Sequence, residues 1–311
     1  MRLKAAWARV PEWGKAFLLA VGILQSVHVF VLRWVTVRNT SMYATLLPGD
    51  LVGVERWPLW TGLQRGDIIV FRDPVQDDRP KGQRQLLVKR IAGMPGDEVE
   101  LRSGDLYVNG RRIPAPAHGT TLWTVRLKAG STATGVLKQL GLPPDYVLGG
   151  RTLHDLPLNA ALAEQLRKLP EVAGVSRRDP VIGSPANIFP FSPNFRWNND
   201  DYGPLRVPGK GDTVGLTAFT LPLYDRIISR YEHNVVEVSG GELLVNGQAA
   251  TRYTIKQNYY FVLGDSRDGS SDSRYWGFVP KDQVVGRAGF ILLNARTIRN
   301  RSMPGRSFTT L

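Results

Sequence analysis

Residues 88–113 read VKRIAGMPGDEVELRSGDLYVNGRRI, and the alternation of short apolar runs with tight-turn residues in this stretch decides the fold class. Leu86–Ile91, Glu98–Leu101 and Leu106–Val108 are too short and too rich in β-formers for helices, and Gly, Pro, Asn and Asp separate them. Asn109-Gly110 supplies the pair of positive-φ residues that a two-residue hairpin turn requires, so Val99–Ile113 reads as a β-hairpin. The same pattern returns at Val236–Ala250 (VEVSGGELLVNGQAA), with Asn246-Gly247 at the corresponding turn. Two such units make a pair of similar hairpins and not a solenoid.

Outward from these hairpins, Leu51–Glu55, Asp67–Phe71, Tyr259–Leu263 and Val284–Leu293 repeat the short-strand pattern, so the framework is expected to be mainly antiparallel β over 35–113 and 235–295. The intervening residues 114–234 differ. Leu158, Leu162, Leu166 and Leu169 recur at helical spacing before Pro170, and Leu223, Ile227, Ile228 and Tyr231 do so before Val235. This predicts an inserted α/β subdomain, the apolar stripes being its core. Residues 296–311 carry four arginines and little apolar content, and read as a loose basic tail.

At the other end, Trp13 to Trp34 bracket an apolar stretch whose densest part is Ala16–Leu32 (AFLLAVGILQSVHVFVL). About 21 residues at ~1.5 Å each give roughly 31 Å, the thickness of a bilayer core. Arg2, Lys4, Arg9 and Lys15 precede it and only Arg33 and Arg38 follow closely, which favours a cytoplasmic N-terminus and an exported body. Arg33-Trp34-Val35-Thr36 offers no small-residue cleavage site. Residues 1–34 are therefore expected to be a cytoplasmic stub and an uncleaved, single transmembrane anchor.

The chain has 311 residues and no cysteine, which excludes disulfides, iron–sulfur clusters, a cysteine nucleophile and thiolate zinc sites. Its 40 Lys+Arg against 27 Asp+Glu give a net charge of +13, compatible with nucleic acid, an anionic membrane surface or a merely basic exterior. No Walker A loop, H-E-x-x-H, G-x-S-x-G or EF-hand pattern occurs, so neither a metal nor any other cofactor is expected.

Three segments are unlike ordinary framework: Asn39–Asp50 (NTSMYATLLPGD), Val88–Val99 (VKRIAGMPGDEV) and Gly264–Pro280 (GDSRDGSSDSRYWGFVP), with Arg65–Phe71 (RGDIIVF) as a weaker fourth. In this order, behind an apolar span, they resemble the type I signal peptidase family of Ser/Lys membrane proteases, over residues 34–112 and about 235–293. The 114–234 insert resembles the enlarged second domain of some members, notably the Bacteroidota type. The resemblance implies a signal-peptidase-like β framework on the exported face of the bacterial cytoplasmic membrane. Signal peptides of exported preproteins and the lipid bilayer are the implied partners, contact with the export machinery is open, and no nucleic acid is expected.

On this resemblance Ser41 is the nucleophile, Lys89 the general base and Ser270 the hydroxyl that orients the lysine amine. Arg90, Asp272 and Arg274 correspond to structural charges near the site, and Asp265 and Arg267 to charges that hold the loop. The oxyanion is expected to be met by the Ser41 N–H and by Asn39, whose side-chain amide can donate as in other serine-protease oxyanion holes. Val35, Val37 and Val88 are the expected walls of a shallow substrate pocket. Departures from the family pattern are Ala44 in place of Pro, and Ser266 and Gly269 in place of Asn. An exposed lysine, with pKa about 10.4, is neutral in roughly one molecule in a few thousand at pH 7, so this chemistry needs a buried Lys89. Two other readings remain open on the sequence: a self-cleaving Ser/Lys protease of the soluble repressor type, and an inactive membrane-anchored relative that acts as an interaction protein.

Overall fold

The strands that the valine-rich runs predict all form. β1 (Leu32–Thr36), β2 (Asp50–Glu55), β3 (Ile68–Arg72) and β4 (Leu86–Gly93) combine with strands at Tyr259–Leu263, Val279–Pro280, Val284–Asn294 and Thr309–Thr310 in an eight-stranded sheet. Its pairings are antiparallel, with the Val284–Asn294 strand between β2 and β3 and the Tyr259–Leu263 strand beyond β4. The computed structural model describes residues 10–26, 31–140, 142, 152–177, 187–294 and 306–311. Ile68 to Phe71 are all buried because the sheet is covered on both sides. Ile69, Phe71, Ile91 and Val262 pack on one side, and Val37, Met42, Leu46, Val52 and Ile291 on the other.

Both hairpins are present. Glu98–Arg102 pairs with Asp105–Val108, and Val236–Ser239 with Glu242–Val245. Asn109 and Asn246 take φ of 52° and 53°, followed by Gly110 and Gly247 at 75° and 77°, the double positive φ of the expected turn.

The stretch 114–234, expected as one inserted unit, is divided by its packing. Thr121–Leu127, Thr152–Leu158 and Val172–Arg177 form a separate three-stranded sheet, closed by helices Ala133–Leu140 and Ala160–Arg167 around Val125, Leu137, Leu153, Leu156 and Leu166. Asn159 starts the second helix by accepting from the Leu162 N–H at 2.9 Å. Tyr202–Arg206 instead pairs with Glu98–Arg102, and Tyr224, Ile227 and Ile228 share a core with Val99 and Leu101. The second apolar stripe is thus core of the β framework.

At the two ends the structure departs from expectation at particular residues. Among the described residues no helix is long and apolar enough to cross a membrane. The described helix is Glu12–Ser26, and residues 27–30, which follow it, lie outside the described residues. Leu32, Arg33 and Trp34, expected to close the anchor, open β1, where pairing with Glu55, Val54 and Gly53 satisfies their backbone. Residues 1–9 of the expected stub and 27–30 of the expected anchor lie outside the described residues, as do 295–305 of the tail. The described end of that tail is not loose. Thr309 and Thr310 pair with Ile291 and Phe290, and Arg306 donates to Asp50 at 3.2 Å and to the Thr45 carbonyl at 2.7 Å.

Candidate active site

β1 and the turn after it deliver Ser41, while β4 delivers Lys89 from the interior of the sheet, paired with Ile69 of β3. The Lys89 ammonium donates to Ser41 Oγ at 2.7 Å and to the Val88 carbonyl at 3.2 Å. Only 3% of Lys89 is exposed. Burial is the main cause that brings its pKa down to about 8, with the Arg274 charge adding to the effect and Asp272, Asp73 and Asp265 opposing it. At pH 7 about one Lys89 in ten is then neutral, against one in a few thousand at the ordinary value. In that neutral form the 2.7 Å contact reverses, with the serine hydroxyl donating to the amine. A hydroxyl paired with an accessible neutral amine is what general-base activation of a nucleophile needs.

The third sequence segment closes over this pair. Ser266 N–H donates to the Ser41 carbonyl at 3.1 Å. A Cβ at Gly264 would lie 2.6 Å from the Ser41 carbonyl oxygen and 2.2 Å from Ser270 Oγ, so only glycine permits this approach. Ser270 is buried beside it, but the expected bond to Lys89 is absent, and Ser270 Oγ has no hydrogen-bond partner among the described residues.

Two ion pairs fix the segment from below. Arg90 Nε and Nη2 grip the two Asp265 oxygens at 2.9 and 2.7 Å, and Thr45 Oγ1 donates to the same carboxylate, which ties the nucleophile turn to it. Arg274 Nε and Nη2 lie at 2.9 Å from the two Asp272 oxygens, and Asp272 also accepts from the Gly264 N–H at 3.0 Å. Burial pushes the Asp272 carboxyl up, and the Arg274 guanidinium outweighs it to hold the group below the ordinary carboxylate value. Arg267 departs from expectation. Its side chain makes no salt bridge among the described residues, and it acts through its backbone, the N–H donating to the Thr120 carbonyl at 2.9 Å and the carbonyl accepting from Arg274.

A groove of about 420 Å³ runs to this pair between β1 and β4, lined by Val35, Val37, Asn39, Ser41, Val88 and Lys89 together with Trp34, Leu86 and Leu87. The three valines expected as pocket walls are all on it. Asn39 is exposed there, and the Ser41 N–H has no acceptor among the described residues.

Sequence reasoning missed what holds the nucleophile turn from behind. Tyr43, two residues past Ser41, is 1% exposed and packs into the core of the separate three-stranded sheet, with its hydroxyl donating to the Leu140 carbonyl at 2.6 Å. Thr120 Oγ1 donates to the Tyr43 carbonyl at 2.8 Å, and the Ala44 N–H to the His118 carbonyl at 3.2 Å. A large aromatic beside a nucleophile was the signal available. Tyr43→Phe leaves the buried Leu140 carbonyl unpaired, and thermal unfolding of the full chain should register a loss of about 1–3 kcal/mol; an unchanged Tm would show that the contact carries no stability.

Residues 10–142 and 237–293 match the family described as signal peptidase, peptidase S26, and the chain belongs to that family. Among its relatives, a signal peptidase I of Bacillus amyloliquefaciens is 30% identical over 148 residues, 47% of this chain and 72% of the relative. Signal peptidase I P of Bacillus subtilis subsp. natto is 28% identical over 58% of this chain and 89% of its own. Signal peptidase IB of Staphylococcus aureus strain MRSA252 is 33% identical over 60% and 93%. A crystal structure of a signal peptidase I from Enterococcus faecalis V583 aligns with 73% of this chain at 18% identity and a TM-score of 0.24, too loose a superposition to bear on the fold.

Proposed function

We propose that this protein is a serine endopeptidase that removes signal peptides from exported preproteins, with Ser41 as nucleophile and neutral Lys89 as general base. The observation that carries the reading is the 2.7 Å approach of a buried lysine amine to a serine hydroxyl at the end of a valine-walled groove. Ser41 Oγ attacks the scissile carbonyl carbon as its proton passes to Lys89 Nζ, and the carbonyl becomes an oxyanion met by the Ser41 N–H and the Asn39 amide. Collapse breaks the C–N bond, and the leaving amine takes the proton back from the lysine. Water then attacks the acyl-serine with Lys89 again accepting the proton, which frees the carboxylate product and restores both groups. Ser270 Oγ, buried against Gly264 and without a hydrogen-bond partner among the described residues, supports a role in orienting the amine of Lys89. Val35, Val37 and Val88 leave room for small side chains, which suits the small residues that precede a signal-peptide cleavage site.

The exposed Trp13, Phe17, Leu18, Leu19 and Ile23 on the Glu12–Ser26 helix support a seat in the membrane, and the excess of Lys and Arg ahead of the apolar stretch supports catalytic residues on the exported face. A pH series with a preprotein substrate and detergent-solubilised protein tests the base. Lys89 must lose its proton to act, so kcat/KM should rise about tenfold between pH 6 and 7 and level off above about pH 9. A profile flat from pH 6 to 9 would eliminate a lysine base.

A further inference from the structure

The end of the groove away from Ser41 carries a row of arginines that the cleavage chemistry does not use. Paired residues in an antiparallel ladder share a face, so Arg33, opposite Val54, stands on the same face as the groove valine Val35, opposite Val52. Arg72, opposite Leu86, follows Val70, opposite Val88, on that face of β3 and β4. Arg56 comes two residues after Val54, with its N–H bonded to the Val31 carbonyl, and Arg84 comes two residues before Leu86. The registers through the Val284–Asn294 strand place all four at one end of the sheet.

The four side chains are half-buried. Burial first, and then the charges of Arg33, Arg56 and Arg84, lower the pKa of Arg72 below its ordinary value, so these cations act on one another. Arg33, Arg72 and Arg84 make no salt bridge among the described residues; Arg84 donates only to the Arg79 and Asp77 carbonyls. Asp282, the carboxylate that acts on Arg72, is engaged by Lys81. Arg33, Arg72 and Arg84 thus stand close to one another without a salt-bridge partner among the described residues, which costs stability, and an anion is what would offset that cost. The surroundings indicate where the anion comes from. Trp57 and Trp60, next along the chain from Arg56, are 40% and 65% exposed, and β1 enters this end only a few residues after the apolar Glu12–Ser26 helix. Indole rings beside guanidinium groups suit the headgroup layer of a bilayer.

We propose that Arg33, Arg56, Arg72 and Arg84 form a binding site for the phosphate of an anionic phospholipid headgroup, which seats the upstream end of the groove on the membrane surface. The choice of lipid as the phosphate source rests on the membrane-seated reading above. The test does not depend on cleavage, so the two can fail separately.

Thermal unfolding of the full chain in neutral detergent, with soluble dihexanoyl phosphatidylglycerol, dihexanoyl phosphatidylcholine or inorganic phosphate added, provides that test. Phosphatidylglycerol should raise Tm by about 3–8 °C, with little response to the other two. In the double variant Arg33→Gln/Arg72→Gln the response should vanish, while Tm without lipid stays equal or rises because repulsion is relieved. No response to phosphatidylglycerol, an equal response to phosphatidylcholine, or a response kept by the variant would overturn the site. A full response to phosphate alone would overturn the lipid as its source. A variant whose Tm without lipid drops would show that the arginines hold the sheet together instead.

Discussion

Ser41→Ala and Lys89→Met should each reduce kcat for preprotein cleavage by about 10⁴–10⁶, and the double variant should be little worse than either, since a nucleophile and its base act as one unit. Single-turnover cleavage with excess enzyme is the measurement, because a wild-type contaminant then appears as a small fast phase. Cleavage retained within tenfold by both variants would remove the pair from the chemistry. Lys89→Met should also change stability in the opposite direction. The folded-state pKa of about 8 lies below the value near 10.4 of an unfolded chain, so between these limits the unfolded state binds more protons and wild-type stability rises with pH. Below pH 8 the full cost of holding this amine in the interior applies, on the order of 3 kcal/mol. An apolar side chain of similar length removes that cost, so the inactive variant should unfold at a higher temperature at pH 7 and lose the rise between pH 8 and 10. A lower Tm at pH 7 would mean that the lysine stabilises the fold.

The second large effect is expected at the charge pair under the site. Asp272 and Arg274 are 0% and 2% exposed, and the carboxylate accepts from Gly264, whose backbone lies against Ser41 and Ser270. Arg274→Met leaves Asp272 buried without its partner, at a cost of about 3–5 kcal/mol. The charge on Asp272 would then hold the Lys89 proton more tightly, because Asp272 already raises the lysine pKa and Arg274 lowers it. The kcat/KM profile of any folded fraction should accordingly shift to higher pH. The double variant Arg274→Met/Asp272→Leu, which removes both charges, should recover much of the stability. Equal stability of the single and double variants would show that the pair is not coupled.

Much of the framework was legible because its signals are local. The Asn109-Gly110 and Asn246-Gly247 turns and the short valine-rich strands depend on backbone preferences within a few residues, and the structure realises them as read. Ser41 and Lys89 were legible through their segments, and the sheet joins them. The anchor was overread at its C-terminal end: hydropathy does not separate a span from the strand that follows it, and only pairing with β2 assigns Leu32–Trp34. Arg90 and Asp265 lie in segments far apart along the chain, and only the sheet brings the two charges together. Arg267 carries the same charge as Arg90 and sits closer in sequence to Asp265, yet it takes no part in that pair.

By itself the sequence determined a mainly β framework and two hairpins, and its resemblance to a protease family pointed to Ser41 and Lys89. Tertiary structure alone decided that Lys89 is buried enough for its pKa to fall to about 8, since that fall depends on desolvation by residues distant in sequence. It alone decided that Tyr43 and Arg306 hold the turn that carries Ser41, through Leu140 and through Thr45 and Asp50. Long-range contacts of this kind follow from how sheets pack, and no local pattern in the chain encodes them.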